Sequence, residues 1–243
     1  MAGLIETEVV EPQPAYYPAP RLLIDIIFHS CDWTVRYLSG GVKVFAFRTI
    51  DLQPHALWQT IGKDKTTASV KAHSLEDWSW IGLPDLLQID NDSAFTGLGK
   101  QGRTFGSFVR LALYLGIELI FIPPGEANCN YVVEGVHYLW NASFWDKNNF
   151  SCFAQVMSKR KKFLAWYQDY EPPALAGLSV KLSSAGQAVT RLSQTQITAI
   201  PDELPLTAGR IHFIRRVSQQ GGIEILKERW RAPIRLAKSM SGQ

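Results

Sequence analysis

Three short apolar runs, each ended by a polar or proline-bearing turn and separated by stretches of helical spacing, leave few folds open to this chain. Val42-Lys-Val-Phe-Ala-Phe-Arg-Thr-Ile50 is a buried strand that follows the turn signal Gly40-Gly41. Leu86-Leu-Gln-Ile89 runs into the polar turn Asp90-Asn91-Asp92, and Ile117-Glu-Leu-Ile-Phe-Ile122 is closed by Pro123-Pro124. Between these runs, Ala68, Val70, Ala72, Leu75, Trp78 and Ile81 recur at helical intervals until Gly82 and Pro84, and Phe105 to Leu115 forms a second amphipathic stretch closed by Gly116. A first strand is expected to enter between Leu22 and Asp32, and a third over Ala56 to Ile61. The order is then β-β-β-α-β-α-β, followed by helices from about Asn130 to Trp145 and from about Phe153 to Tyr170. Strands alternating with helices predict an α/β layer fold, a mixed sheet flanked by helices.

The ends of the chain read differently. Residues 1–20, with Pro12, Pro14, Pro18 and Pro20, are expected to be an extended lead-in. Order is expected over 21–180, a polar linker over 181–205, and a small β domain over 206–243. In that domain the alternating Ile211 to Val217, the turn Gln220-Gly221-Gly222 and Ile223 to Leu226 suggest a hairpin. Charge divides along the same line. Residues 1–180 carry 15 Lys/Arg against 18 Asp/Glu, whereas 181–243 carry 10 against 4. A basic tail on a mildly acidic body suits a polyanionic partner, although a solvated basic surface explains the tail equally well. No run approaches the roughly 20 apolar residues of a membrane span and the start lacks a signal-like pattern, so a cytosolic protein is expected. Cys31, Cys129 and Cys152 are odd in number and share no C-x-x-C spacing, which argues against disulfides and zinc knuckles.

The residues that carry chemistry are acidic. Asp32 belongs to the first strand, Asp90 ends the fourth 58 positions later, and Glu134 lies near a helix start 44 positions beyond that. Carboxylates brought from separate elements to one place can hold the divalent cations that phosphoryl transfer on DNA requires. Spacing by itself is weak ground, because 22 acidic residues supply many triples. The sequence around each carboxylate is more specific. Asp32-Trp-Thr-Val-Arg-Tyr-Leu with Gly40-Gly-Val-Lys-Val-Phe-Ala-Phe, Leu86-Leu-Gln-Ile-Asp90-Asn-Asp-Ser-Ala-Phe95, and Pro123-Pro-Gly-Glu-Ala-Asn-Cys-Asn-Tyr-Val-Val-Glu134 occur in this order. Together they resemble the first-aspartate strand, the "DNG-x-x-F" box and the "P-x-x-N-G-x-V-E" box of DDE-type transposases and retrovirus-like integrases, in particular the integrase-like bacterial transposases.

The resemblance covers about residues 21–180 and implies an RNase H-like fold followed by a small β-barrel-like domain, of which Thr207 to Ser218 looks like a part. It implies catalytic and metal-binding roles for Asp32, Asp90 and Glu134, with Mg²⁺ or Mn²⁺ as cofactor: Asp32 and Asp90 on one ion, Asp32 and Glu134 on a second. It implies transposon-end and target DNA as partners, a homo-multimer assembled on them, and work in the bacterial cytosol. Relatives usually carry a helix-turn-helix region before the core, so a shortened copy is expected here. A catalytically silent DNA-binding remnant and a hydrolytic nuclease of the same fold are the alternatives. Asp92 and Tyr131 stand where relatives often have glycine, and the interval between Asp90 and Glu134 exceeds the usual one through extra length at 96–105, expected to be a surface loop.

Other residues have plainer readings beside functional ones. Asp51 and Asp85 are expected to be structural, and Asp92 a turn cap. His137, three residues after Glu134, can approach the metal or pack within its helix. Tyr138 and Asn141 share the Glu134 face and are candidate DNA-backbone contacts, as are Arg210, Arg215, Arg216, Arg229 and Arg231 in the small β domain. The run Ser158 to Lys162 reads as solvated helix surface.

Overall fold

The computed structural model describes residues 26–52, 56–97, 105–170, 189–218 and 220–231. Strands β1 (Phe28–Tyr37), β2 (Lys43–Asp51) and β3 (Leu57–Gly62) form an antiparallel meander. Helix α1 (Thr67–Trp80) leads to β4 (Leu86–Ile89), which lies parallel to β1. The short α2 (Ser93–Thr96) and α3 (Ser107–Tyr114) precede β5 (Glu118–Phe121), parallel to β4. A 3₁₀ turn (Ala127–Asn130) opens α4 (Tyr131–Trp140), a π-helical turn (Asn141–Trp145) ends it, and α5 (Phe153–Gln168) follows. The sheet order β3-β2-β1-β4-β5, with only β2 antiparallel to its neighbours, is the RNase H-like arrangement.

Strand alternation distributes this sheet's side chains between two cores. On one face Phe45, Phe47, Leu87, Ile89, Leu119 and Phe121 pack with Val70 and Trp78 of α1 and Phe108, Leu111 and Ala112 of α3. On the other, Val44 and Ile50 pack with Val133, Val136 and Trp140 of α4 and Val156 and Phe163 of α5. The turn at Gly40-Gly41 forms as the sequence suggests, with the Leu38 N–H donating to Val42 O at 2.9 Å. The helical window at 65–81 forms too, but on a different face. Ala68 and Ala72 point to solvent, and the buried residues are Val70, His73, Ser74, Asp77 and Trp78. Two small alanines bury too little area to orient a helix against a face that supplies a valine, a tryptophan and a histidine hydrogen-bonded through both ring nitrogens to Thr49 and Thr60.

Several expectations need correction. The first strand does not end at Asp32; it continues five residues further, and Asp32 lies at its middle. Residues 189–205 are no free linker, because Leu192 and Leu204 are buried in the core shared by α1 and α3 and the Leu192 N–H donates to Trp78 O at 3.1 Å. α6 (Gln194–Thr198), opened by a Ser193–Gln196 capping box, lies in the same stretch. β6 (Ile211–Phe213) does not pair into a hairpin of a separate domain. It adds to the main sheet, parallel to β5, and Phe213 stacks on Phe121 with ring centroids 5.1 Å apart. The edge of β5 exposes backbone donors and acceptors that a sixth strand satisfies, which outweighs local hairpin pairing. The hairpin that does form is β7 (Gly222–Ile225) with β8 (Glu228–Arg231), and no closed barrel occurs among the described residues. No helix among the described residues is long and apolar enough to cross a membrane.

Candidate metal centre

The parity of the sheet assembles the acidic site. On β1, Ser30, Asp32 and Thr34 face α4, whereas His29 and Cys31 face α1. The parallel register pairs Ser30 with Gln88, and Asp32 on β1 and Asp90 just past the end of β4 each lie two residues beyond that pair, close enough for the Asp90 charge to act on Asp32. Glu134, in the first turn of α4, reaches across from the helix that covers this face. Asp32, Glu134 and His137 each offer a ligand atom, and these atoms all lie within 4.8 Å of one another. Asp90 stands outside that set but acts on it electrostatically. Asp32, 9% exposed, has its pKa raised to about 7 by burial first, then by the charges of Asp90 and Glu134. Asp90 is raised as well, chiefly by burial. Glu134 is held low by the His137 imidazole.

A hydrogen-bonded frame holds the two aspartates. The Trp33 N–H donates to Asp32 Oδ1 at 2.7 Å, and Asn130 Nδ2 approaches Asp32 Oδ2 at 3.4 Å. Asn130 Oδ1 in turn accepts from Gln88 Nε2 at 3.0 Å and from Ser30 Oγ. One buried amide thus joins β1, β4 and the entry to α4. Asp90 Oδ1 accepts from the Asp92 N–H at 2.8 Å. Asp92 also caps α2 through the Ala94 N–H at 2.8 Å and pairs with Lys65 Nζ at 2.8 Å. Its backbone is extended (φ −60°, ψ 148°), and Tyr131 is helical (φ −55°, ψ −28°), so neither position requires a glycine. The ends of the extra segment are pinched together. Gly106 N–H donates to Thr96 O at 3.1 Å, and a Cβ on Gly97, whose φ is +61°, would lie 2.4 Å from Gly106 Cα. The surface loop expected over 96–105 falls largely on residues 98–104, which lie outside the described residues.

Under this acidic layer lies a buried cation. Arg48 faces Asp32 across the β1–β2 ladder and is fully buried, with Nε donating to Gln59 Oε1 at 2.6 Å and Nη1 to Thr34 Oγ1 at 3.0 Å. Its guanidinium lies 5.6 Å from the Trp140 ring centroid. Burial, then the charge of Arg36, lowers its pKa to about 9, so it stays protonated at neutral pH. On the opposite face of β1, His29 sits between Asp51 (3.6 Å) and Asp77 (3.7 Å). Burial disfavours its charge, but the two carboxylates outweigh burial and take the pKa to about 9. Asp51 is structural as expected. So is Asp85, whose carboxylate accepts the Ile27 N–H at 2.8 Å.

The candidate DNA contacts divide. Tyr138 is 70% exposed on α4 beside Glu134, whereas Asn141 accepts from Arg36 Nε at 3.0 Å. Arg215 is not a free surface cation. Its Nη2 donates to Asn91 Oδ1 at 2.7 Å, Nη1 to Ile122 O at 3.2 Å and Nε to Glu224 O at 3.0 Å, which ties the Asp90 turn to β5 and the hairpin. Arg210 pairs with Glu118, and Arg216 with Glu126. Arg229 and Arg231 are exposed on one face of β8. Asn130 and Arg48 were missed in the sequence. Each left a trace: an amide four residues before Glu134, and a lone charge inside an apolar strand.

No family model matches the chain, and no curated protein matches it either. Among solved structures it is similar to retroviral integrase catalytic cores. One is the HTLV-2 integrase catalytic core domain in complex with magnesium in its trimeric form, at 18% identity over 58% of this chain and 84% of that one, with a TM-score of 0.42. Another is a simian T-cell lymphotropic virus intasome in complex with the PP2A regulatory subunit B56 gamma, at 16% identity over 77% of this chain and 59% of that one, with a TM-score of 0.46. The BIV integrase catalytic core domain gives 16%, 57% and 80%, with a TM-score of 0.42.

The donor set can be tested against a divalent cation. Three carboxylates from β1, the end of β4 and α4 supply hard oxygen ligands, and a cation among them would relieve the repulsion and burial that raise Asp32 and Asp90. The residues therefore suit such an ion, and the charges of both Asp90 and Glu134 act on Asp32.

Proposed function

We propose that this chain is a DDE-type polynucleotidyl transferase that cuts a DNA end and joins it to target DNA, with Asp32, Asp90 and Glu134 as the carboxylates that hold Mg²⁺ or Mn²⁺. The observation that carries the reading is the register of β1 on β4. It brings the buried Asp32 and the half-buried Asp90 near one another beneath a helix glutamate, in the order and within the sequence boxes described above. Bound ions would supply charge neutralisation for in-line displacement at a phosphodiester. The chain's own residues do the positioning. Asn130 and the Trp33 N–H orient the Asp32 carboxylate, the Asp92 N–H orients that of Asp90, and Lys65 fixes Asp92. Two displacements follow in sequence. Water attacks the phosphorus at the end and expels the 3′ oxygen as a free 3′ hydroxyl, and that hydroxyl then attacks a target phosphorus and expels the target strand's own 3′ oxygen, with no covalent protein–DNA intermediate.

Exposed Tyr138, Arg229 and Arg231 are the proposed contacts to the DNA backbone, and a homo-multimer holds the paired ends. Labelled end DNA incubated with the chain, Mg²⁺ or Mn²⁺ and a target plasmid tests this. Cleavage and joining are expected, and Asp90→Asn is expected to lower both by at least about 100-fold, or about 2.7 kcal/mol in barrier. Unchanged activity in that variant refutes the assignment, and cleavage without joining identifies a hydrolytic nuclease.

A further inference from the structure

The His137 side chain is buried, and neither ring nitrogen has a hydrogen-bond partner among the described residues. Leaving a buried polar atom unpaired forfeits its hydration with nothing in return, so an imidazole with two of them calls for a reason. Its Nδ1 stands 3.5 Å from Glu134 Oε2, too far for a good hydrogen bond, and that contact leaves the other nitrogen unexplained. Three-residue spacing on α4 puts the imidazole and the Glu134 carboxylate on one helix face, and Asp32 of β1 completes a group with all ligand atoms within 4.8 Å. Ligands on opposite sides of one first-row divalent ion are about 4.2 Å apart, so a small inward movement closes the group on a single ion. A Glu-x-x-His pair on one helix is a recurrent way of delivering one oxygen and one nitrogen to a metal.

We propose that His137 is a metal ligand, so that the ion position shared by Asp32 and Glu134 is a two-carboxylate, one-imidazole site that takes a first-row transition ion in preference to Mg²⁺. This rests on the proposed role of Asp32 and Glu134 and deepens it. The two ion positions become chemically unequal. The side toward Asp90 offers oxygen only and suits Mg²⁺, whereas the side toward His137 adds a nitrogen that Mg²⁺ binds poorly and transition ions bind well.

Pulsed EPR of Mn²⁺ bound to the full chain, without DNA, tests the assignment independently of activity. The expected result is ¹⁴N modulation from a directly bound imidazole, lost in His137→Gln, together with weakening of Mn²⁺ binding on the order of 10-fold or more. Mg²⁺ affinity, measured by its competition at the Asp90 side, is expected to change far less. Mn²⁺ that binds in an Asp32-dependent manner without ¹⁴N modulation overturns the His137 proposal and leaves the functional reading intact. Modulation that persists in folded His137→Gln also overturns it. Absence of any Mn²⁺ binding sensitive to Asp32→Asn overturns both. Should His137→Gln fail to fold, ¹⁵N-histidine labelling of the unaltered chain gives the same decision, since ¹⁴N modulation that survives labelling excludes histidine.

Discussion

Replacing Asp32 by asparagine is expected to stabilise the metal-free protein at pH 8 while leaving its stability near pH 4 almost unchanged. The Asp32 carboxyl is raised from its ordinary 3.8 to about 7 by burial, Asp90 and Glu134. Between these values the folded chain keeps a proton that the unfolded chain has released. Stability therefore falls as pH rises through this window and levels off above 7. At about 1.4 kcal/mol per pH unit the full window corresponds to at most about 4 kcal/mol. Asparagine has nearly the same shape and cannot ionise, so the variant loses this slope. Urea unfolding followed by tryptophan fluorescence, in EDTA from pH 4 to pH 8, measures it. The difference between variant and parent should grow from near zero to about 2 to 4 kcal/mol. A difference that stays flat across the range, or an Asn variant less stable than the parent at pH 8, refutes the electrostatic account of the site.

Trp140→Ala should cost about 3 to 5 kcal/mol in urea unfolding, because Trp140 is fully buried against Phe144 and Phe163 and covers the Arg48 guanidinium. Arg215→Ala should speed amide exchange in the Asp90 turn and in β7–β8 together, since one guanidinium bonds both; exchange that changes in the hairpin alone would show that Asn91 is held by other means. Gly97→Ala should lower the urea midpoint markedly, with a loss of at least about 1 kcal/mol, because the position combines a positive φ with a 2.4 Å approach to Gly106.

The local pattern of this chain was enough to place β2, β4, β5, α1 and α3, because a strand of alternating or continuous apolar residues and a helix of 3.6-residue period announce themselves within a dozen positions. It was also enough to put Asp90 at a strand end and Glu134 at a helix start, where ligands tend to be delivered. Two features escaped it because they have no period. β6 is three residues long, and only the open edge of β5 decides where it pairs. Arg215 resembled its exposed neighbours in composition, and its burial depends on Asn91, 124 positions earlier.

The sequence by itself determined the layered α/β class and singled out the carboxylates proposed as ligands, both written in short-range order and in residue type. Only the tertiary structure decided which groups surround them. Asn130 reaches Ser30 and Asp32 across about 100 positions, and Arg48 meets Asp32 only through the β1–β2 register. Such meetings depend on strand parity and register, where a shift of one residue would turn Asp32 toward α1 and leave His29 facing the site.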